Sequence, residues 1–436
     1  MADMDSDVII IGGGPAGLMA ARTALNEGLR VILIEKKKNA AHYVKPCCSM
    51  LLLEPGYHDE FITTEDKKIE FKNTAFSVDY TGEYVDLPGS IRFSPEGHPF
   101  RIFAGNGLAA KVIDKETLLK GILKEVSSKG ADIRHSTVAI IAEEIKGGVR
   151  VKVKDKSGEK DLTAKFAFVA DGVTSNVVNR MGLNKERKLF IKGLALSYLM
   201  EGINFPYEDA FAAFIGKRYT PAGQFYMVPK RMEKFGRDNK VWEVTFGVPT
   251  GMDINPKERL NAFIKEGPVK DWFGDAKILE EIGCAMSFYS PMQHPADGNI
   301  VVLGDAASFQ EVENQGALMC GHYASKLAVS CLAGNEPNLE KYNEFWQRCF
   351  EFNHPGVIEA TARTYAIHTF TDEQLDYLFS LEQDFTVPGY INHCTCADVM
   401  FNGFAQHYNR IKQERPEIAA GIDRFKGAAA DSLLHT

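Results

Sequence analysis

The stretch from Val8 to Glu35 constrains the fold of this chain more than any other part of its sequence. Residues 7–11, Asp-Val-Ile-Ile-Ile, contain a continuous β-branched run that is typical of a strand buried on both faces. The run breaks at residues 12–17, Gly-Gly-Gly-Pro-Ala-Gly, and an apolar-periodic helix follows. A second buried strand over residues 30–34 ends at Glu35. This order of strand, glycine turn, helix and strand predicts a parallel βαβ unit.

The glycine turn has the spacing that binds the pyrophosphate of a dinucleotide. Gly12 permits the tight turn, Gly14 lets a pyrophosphate approach the backbone, and Gly17 lets the helix pack close to the sheet. The unpaired N–H groups at the helix start then face the anion. Glu35 lies 18 residues after Gly17, where a carboxylate can accept hydrogen bonds from ribose hydroxyls. The sequence therefore predicts a site, for NAD or FAD alike, at Gly12, Gly14, Pro15, Ala16, Gly17 and Glu35. A glycine-rich loop without a ligand is the alternative.

Composition argues against several other classes of protein. A chain of 436 residues is long enough for two or three domains with cores of their own. The formal charge of −8 and the pI of about 5.8 imply no basic face, so nucleic acid is not an expected partner. No run of eighteen apolar residues occurs and the N-terminus is acidic, so we expect a cytoplasmic protein. The eight cysteines include no Cys-x-x-Cys pair, which predicts reduced thiols and no metal site.

A lysine-rich loop follows Glu35 and leads to two adjacent cysteines. Lys36 begins a run of three lysines, which is typical of a solvated surface but is also a candidate for binding phosphate beside a nucleotide loop. Pro46 restricts the backbone just before Cys47 and Cys48. Adjacent Cα atoms are only about 3.8 Å apart, which is below the usual range for a relaxed disulfide, so we expect free thiols. Both cysteines are candidates for an active site, and a purely structural role is the alternative.

Two later predicted strands each end in an aspartate beside a glycine. The first leads to a corner at Asp171-Gly172. The second, over residues 298–303, leads to Gly304-Asp305. A carboxylate at a strand end beside a small-residue turn can hold a polar cofactor chain such as a ribityl group.

A helix is predicted after the second corner, from about Asn314 to about Leu332. Its first turn contains Gly316 and Ala317. The N–H donors and the positive dipole end at this helix start can face an electron-rich ring.

The fingerprint and the two aspartate corners, in that order, resemble the FAD-dependent oxidoreductases built like para-hydroxybenzoate hydroxylase. The resemblance covers roughly residues 5–335. It implies that the first motif holds the ADP part of FAD and that Asp171-Gly172 lies by the pyrophosphate. It also implies that Asp305 binds the ribityl chain. We expect the helix start at Gly316 and Ala317 to face the flavin ring, because its dipole would stabilise the anionic reduced ring.

Three segments resemble the geranylgeranyl reductase family within that superfamily. Lys45, Pro46 and Cys47 match its Lys-Pro-Cys-Gly segment, with Cys48 in the position of the glycine. Lys115 stands for the arginine of an Asp-Arg-x-x-Phe-Asp segment. The resemblance implies that Lys45, Pro46 and Lys115 lie near the cofactor.

The third segment is residues 224–230, Gln-Phe-Tyr-Met-Val-Pro-Lys. It falls where the family has a Tyr-x-Trp-x-Phe-Pro pattern along its lipid pocket, which makes Tyr226 a candidate donor in the pocket. Residues 186–290 are rich in aromatic strands with period-two alternation, so that one face is either a plain core or the wall of a hydrophobic pocket. 

The expected fold class is α/β, with a Rossmann-like FAD-binding domain, a mixed β-sheet substrate domain and a helical C-terminal region. In residues 68–105 the sequence predicts short strands with turns at Gly82, Gly89 and Gly97. The expected bounds are residues 1–73, 106–185 and 291–335 for the first domain, 74–105 and 186–290 for the second, and 336–436 for the third part.

The first functional hypothesis is a flavin-dependent reductase that saturates a carbon–carbon double bond of a hydrophobic, isoprenoid-like substrate. Reduced FAD supplies a hydride, and a nearby acid supplies the proton. Cys47, Cys48 and Tyr226 are the candidate catalytic residues. NAD(P)H or a protein donor would reduce the flavin. A peripheral contact with a membrane and the oligomeric state stay open.

Two alternatives remain at this point. An aromatic-ring monooxygenase would use the same flavin together with oxygen. A flavin-binding redox sensor would use Cys47 and Cys48 to report oxidation.

Overall fold

The structure is a computed structural model that describes residues 4–105, 107–219, 224–382, 384–392 and 394–425. Its strands up to residue 169 are β1 (Ser6–Ile11), β2 (Val31–Ile34), β3 (Met50–Leu52), β4 (Ile62–Glu65), β5 (Lys68–Phe71), β6 (Phe76–Asp79), β7 (Tyr84–Leu87), β8 (Gly89–Phe93), β9 (Pro99–Phe103), β10 (Ala110–Ile113), β11 (Asp132–Arg134), β12 (Val138–Ile145), β13 (Gly148–Asp155) and β14 (Gly158–Val169). The later strands are β15 (Leu189–Glu201), β16 (Phe211–Phe214), β17 (Gln224–Arg231), β18 (Lys240–Pro249), β19 (Lys277–Tyr289), β20 (Ala296–Asp297), β21 (Ile300–Val302) and β22 (Thr386–Pro388).

The helices are α1 (Pro15–Asn26), α2 (Lys115–Ser128), α3 (Asn176–Met181), α4 (Pro256–Glu266), α5 (Glu313–Leu332), α6 (Tyr342–Cys349), α7 (Val357–Ala366), α8 (Asp372–Ser380), α9 (Cys396–Gln406), α10 (Tyr408–Glu414) and α11 (Pro416–Phe425). Short 3-10 turns lie at Tyr57–Asp59, Glu233–Phe235, Lys270–Phe273, Gly304–Ala306, Glu351–Asn353 and Ile367–Thr369. Among the described residues, no helix is both long enough and apolar enough to span a bilayer.

The first large sheet has a parallel centre. β1 runs parallel to β2 on one side and to β14 on the other, and β21 runs parallel to β14. β11 extends the sheet beyond β2, while β13 and β12 extend it beyond β14 as an antiparallel meander. The expected α/β fold with a Rossmann-like domain is confirmed.

The register of this sheet aligns four strand ends. Ile11 pairs with Ile34 and with Val169, and Val169 pairs with Val302. Ligands of open parallel sheets bind outside the carboxyl ends of the strands. The segments that follow these four ends begin at Gly12, Glu35, Ala170 and Leu303, so they meet at the edge where a ligand is expected.

Glycines allow α1 and α5 to pack without a gap on this sheet. A Cβ at Gly17 would lie 1.8 Å from the carbonyl oxygen of Gly12, and a Cβ at Gly321 would lie 2.1 Å from the carbonyl oxygen of Ala16. Both distances are far below van der Waals contact. The start of α1 is therefore held close to both the sheet and α5.

The second large sheet has the strand order β19-β15-β18-β17-β16-β8-β9-β22. Its pairs are antiparallel except β16 with β8 and β9 with β22. Aromatic side chains pack on one face of it, among them Phe93, Phe214 and Phe225 with Phe263 of α4. The helical C-terminal region packs on Phe100 and Ile102 of β9 and adds β22 to the sheet edge.

Three local expectations differ from the structure. Gly89 is not in a turn: it begins β8, where a Cβ would lie 2.0 Å from the carbonyl oxygen of Ile102 on the neighbouring strand. The sequence predicts a helix over residues 113–128, but α2 begins at Lys115, because Asp114 caps it by accepting from two backbone N–H groups. The sequence predicts no strand over residues 138–145, where β12 lies, because a register shift between Ala139 and Ile141 interrupts its period-two alternation. The domain bounds remain a prediction.

Candidate active site and cofactor cavity

A cavity of about 1170 Å³ lies between the carboxyl edge of the first sheet and one face of the second. Ligand pockets commonly measure about 300–1,000 Å³, so this cavity is large enough for an extended ligand. The predicted site residues that line it are Gly12, Gly14, Pro15, Ala16, Glu35, Lys36, Lys45, Pro46, Cys47, Lys115, Asp171, Gly172, Tyr226, Gly304, Asp305 and Ala317. Gly17, Cys48 and Gly316 are absent from this lining.

The start of α1 is open toward the cavity. Gly14 is the N-cap residue and supplies no side-chain cap, so the first N–H groups of the helix stay available. A Cβ at Gly14 would meet nothing within 4 Å, whereas the turn at Gly12 needs a φ of +108°. This geometry fits a pyrophosphate seated on the helix start.

Glu35 is buried next to that turn, at 4 % exposure. Its Oε2 accepts from the Gly13 N–H and its Oε1 accepts from the Lys37 N–H, both at 2.7 Å. These bonds fix the carboxylate in place, and each oxygen keeps lone pairs that ribose hydroxyls can use.

Asp171 holds an acceptor that no described residue satisfies. Its Oδ1 is buried and has no hydrogen-bond partner among the described residues, while its Oδ2 accepts from the Val177 N–H at 3.4 Å. Burial raises the pKa of this carboxyl group. Buried polar atoms are normally paired, so the unpaired oxygen beside Gly172 fits a donor on a bound ligand.

Several lysines lie close together in the cavity wall. Lys36, Lys37, Lys45 and Lys115 all line it. Burial lowers the pKa of Lys37 and of Lys45, and neighbouring lysines lower both further. The Lys45 side chain is exposed to the open space of the cavity, but the protein atoms around it are numerous enough for burial to lower its pKa. Such a cluster fits an anionic ligand.

The turn at Asp305 and the start of α5 form the next wall. Asp305 accepts from the Val312 N–H at 3.1 Å, and burial raises the pKa of its carboxyl group. Val312 is the N-cap of α5 and offers no side-chain cap, and Ala317 in the first turn lines the cavity. Gly316 faces the other way, because a Cβ there would lie 2.7 Å from the ring of Phe350.

The structure separates the two adjacent cysteines. The Cys47 sulfur lies in the cavity wall, 3.4 Å from Lys115 Nζ and 4.0 Å from Asn314 Nδ2. The Cys48 side chain packs instead in an apolar cluster with Met50 and Leu87, and burial raises the pKa of its thiol well above the ordinary value. All eight cysteines are free.

Lys115 is a charged neighbour of Cys47. Burial, the largest influence on its pKa, acts to lower it, but Cys47, Asp305 and Glu311 outweigh burial and the pKa is raised. The ammonium group therefore keeps its proton at neutral pH.

A buried ion pair beneath the Cys47 loop escaped the sequence analysis. Lys230 Nζ and Glu243 Oε2 lie 3.0 Å apart, with side-chain exposures of 2 % and 0 %. Ionised residues are rarely buried without a partner. The sequence signal for this ion pair is a lysine and a glutamate inside predicted aromatic strands. Period-two alternation does not show which residues of two strands are neighbours, so the sequence does not reveal that the two charges are paired.

The second sheet contributes an apolar wall of the cavity, and small residues lie at the centre of this wall. Ala195 pairs with Gly247 on one side and with Cys284 on the other, and all three line the cavity. Larger side chains on the same face, Met286 and Phe288, also line it. The small residues lie side by side and leave a groove in the sheet face.

Tyr226 lies across from Thr245 in the register of β17 and β18. Both residues line the cavity, and their hydroxyl groups are hydrogen-bonded. Burial raises the pKa of Tyr226 well above its ordinary value, so this phenol stays neutral and serves as a hydrogen-bonding group.

The residues present therefore fit FAD. The open helix start, the fixed Glu35, the unpaired oxygen of Asp171 and the lysine cluster all line one cavity at the carboxyl edge of the first sheet.

Comparison with known proteins agrees with this geometry. A family described as an FAD binding domain matches residues 5–309. A digeranylgeranylglycerophospholipid reductase of Methanosarcina acetivorans is 26 % identical over 352 residues, which cover 78 % of this chain and 79 % of the relative. 

Solved structures show the same fold. A geranylgeranyl bacteriochlorophyll reductase-like protein from Thermoplasma acidophilum superposes with a TM-score of 0.70 at 19 % identity, covering 96 % of this chain and 99 % of that protein. A flavin-dependent brominase gives a TM-score of 0.59 at 16 % identity, covering 93 % and 99 %. The expected resemblance to geranylgeranyl reductases is confirmed, and the chain belongs to the FAD-binding domain family of FAD-dependent oxidoreductases.

Proposed function

We propose that this enzyme is a flavin-dependent reductase that saturates a carbon–carbon double bond of an isoprenoid-like substrate. The observation that carries the proposal is the position of Cys47. Its sulfur lies beside the Lys115 ammonium in the wall of the cavity, and the same cavity extends along the apolar groove of the second sheet. A proton source and an apolar binding groove therefore share one space.

The cofactor would be held along the carboxyl edge of the first sheet. Glu35 would bind the ribose, the start of α1 and the lysine cluster the pyrophosphate, and Asp305 the ribityl chain. When bound and reduced, FAD supplies the hydride. NAD(P)H or a protein electron donor is the proposed source of the electrons.

Cys47 is the proposed proton donor. When the thiol gives up its proton, negative charge develops on sulfur, and the Lys115 ammonium 3.4 Å away stabilises that charge. Cys48 lacks both the ammonium and the cavity. The geometry thus favours Cys47 among the two thiols that the sequence offered.

Tyr226 has a different proposed role. Its raised pKa makes it a weak acid, so we assign it to orienting the substrate through its hydroxyl group. The groove formed by Ala195 and Gly247 would hold the extended prenyl chain. We propose a prenyl lipid as the substrate class because similar proteins are named digeranylgeranylglycerophospholipid reductases. 

The alternatives have less support. The flavin-dependent brominase shares only the fold at 16 % identity, so it does not favour oxygen chemistry here. Membership in a family of oxidoreductases favours an enzyme over a redox sensor.

Anaerobic turnover tests the proposal. The FAD-loaded protein is reduced with dithionite under argon and mixed with a geranylgeranyl-bearing glycerophospholipid in detergent. The expected product carries two additional hydrogen atoms per reduced double bond by mass spectrometry, and the flavin returns to its oxidised absorption spectrum. An oxygen-dependent hydroxylated product, with no reaction under argon, would contradict the proposal.

A further inference from the structure

The loop that carries Cys47 is fastened to the second sheet. The Cys47 N–H donates to Glu243 Oε1 at 3.0 Å, and the Cys47 carbonyl oxygen accepts from Lys230 Nζ at 2.6 Å. Lys230 belongs to β17 and Glu243 to β18. Both main-chain groups of Cys47 are therefore bonded to the ion pair that joins these two strands.

The remaining hydrogen-bonding capacity of the ion pair is also used. Glu243 accepts from Tyr43 Oη at 2.6 Å and from Ser197 Oγ at 3.0 Å, and Lys230 donates to Ser49 Oγ at 3.0 Å. Tyr43 and Ser49 flank the Cys47 loop in the chain. The pair therefore holds this loop at three points.

Stability alone does not account for this arrangement. Burying two charges has a large desolvation cost, and apolar replacements of buried ion pairs are often neutral or stabilising. An apolar pair at these positions would leave the Cys47 N–H without its acceptor and would remove the shortest of the three hydrogen bonds to the Cys47 carbonyl oxygen. What the charges add here is a fixed backbone position for one residue.

We propose that Lys230 and Glu243 are positioning residues that hold the Cys47 sulfur against Lys115. The pair fixes the backbone of Cys47 through two hydrogen bonds, and the Cys47 side chain then points to Lys115 on α2. This inference rests on the proposed function, in which Cys47 delivers the proton. It means that residues of the second sheet fix the position of the proton donor.

The test uses the full-length, FAD-loaded protein and the double variant Lys230→Met with Glu243→Leu, which leaves no unpaired buried charge. The readout is the rate of iodoacetamide alkylation of Cys47 divided by that of Cys331, measured by peptide mass spectrometry. Cys331 is half-buried near the end of α5, away from the cavity lining and the ion pair, and is an internal reference. We expect the ratio to fall about fivefold or more at neutral pH, because iodoacetamide reacts with the thiolate and the released sulfur loses the Lys115 ammonium that stabilises it. We also expect kcat to fall about tenfold or more with little change in KM.

Two single variants keep the test decisive if the double variant does not fold. Lys230→Arg keeps the charge but replaces the compact ammonium by a larger planar guanidinium, so it should lower the ratio less than the double variant does. Glu243→Gln loses the charge and should lower the ratio by an amount between those of Lys230→Arg and the double variant.

The matched control is Arg22→Met with Glu125→Leu, which removes an ion pair of 2.6 Å between α1 and α2 away from the cavity lining. It should leave the alkylation ratio at the parent value. A folded double variant, or a folded Glu243→Gln, with the parent ratio would overturn the inference. If no prenyl substrate is reduced, the proposed function fails, while the alkylation ratio still decides whether the ion pair positions Cys47.

Discussion

The ammonium nitrogen of Lys115 lies 3.4 Å from the sulfur of Cys47, across the boundary between the start of α2 and the loop after β2. This contact joins two candidates that the sequence separates by 68 residues. It gives Cys47 a neighbour that can stabilise negative charge on sulfur, which Cys48 does not have.

The first prediction concerns the two thiols. Cys47→Ser should lower kcat for double-bond reduction by roughly 100-fold, the usual range for loss of a general acid, and leave FAD binding intact. Cys48→Ser should keep turnover but lower the free energy of unfolding by about 1–3 kcal/mol, because it places a hydroxyl group in an apolar cluster. Single-turnover flavin oxidation and chemical denaturation measure the two effects. Equal turnover in the two variants would refute the role of Cys47.

A second prediction compares two glycines of the fingerprint. Gly14→Val should fold normally and lose most of its FAD affinity, because the new side chain points into open space where the pyrophosphate is expected. Gly17→Ala should instead lower the free energy of unfolding by about 1–3 kcal/mol, since its Cβ would overlap the Gly12 carbonyl oxygen. FAD titration by fluorescence and thermal melting of the apoprotein separate these outcomes. Full FAD affinity in Gly14→Val would place the cofactor elsewhere.

The third prediction concerns substrate length. Ala195→Phe should fill the groove in the second sheet and lower kcat/KM for long prenyl chains by roughly 10-fold or more, while short prenyl substrates lose less. Leu194→Phe is the control, because Leu194 is on the opposite face of β15 and is 42 % exposed. Competition between substrates of different chain length measures the change. The same loss for both chain lengths would show that the groove does not hold the prenyl chain.

The fourth prediction is a pH dependence of stability. Burial against α1 lowers the pKa of His322 from 6.5 to about 4, and its Nδ1 lies 3.2 Å from Thr23 Oγ1. The unfolded chain takes up this proton first as the pH falls, so the folded state loses stability between pH 6.5 and about 4. The loss is about 3 kcal/mol at about 1.4 kcal/mol per pKa unit.

Urea denaturation at several pH values checks this expectation. His322→Gln removes the titration and should show a smaller decrease in the free energy of unfolding over the same range. Parallel pH profiles for the two proteins would exclude His322 as the cause.

Local sequence patterns were sufficient for the parts of the site that one segment builds alone. The turn at Gly12, the helix after it and the acid at Glu35 follow from β-branched runs, glycine spacing and helical periodicity. The Asp171 and Asp305 corners could be placed because each directly follows a buried strand, and parallel strands bring such ends together. Gly316 shows the limit: the helix was predicted, but the side of the helix that this glycine faces depends on Phe350, a distant residue.

The sequence by itself determined the class of fold and the cofactor edge, since these depend on periodicity and spacing within short segments. Only the tertiary structure decided which cysteine faces the cavity and what holds it there. Glu243 and Lys230 reach Cys47 from 196 and 183 residues away. Contacts of this kind depend on how the second sheet packs against the loop after β2, which no local pattern specifies. The role of a buried charged residue becomes clear only when its partners in the folded chain are known.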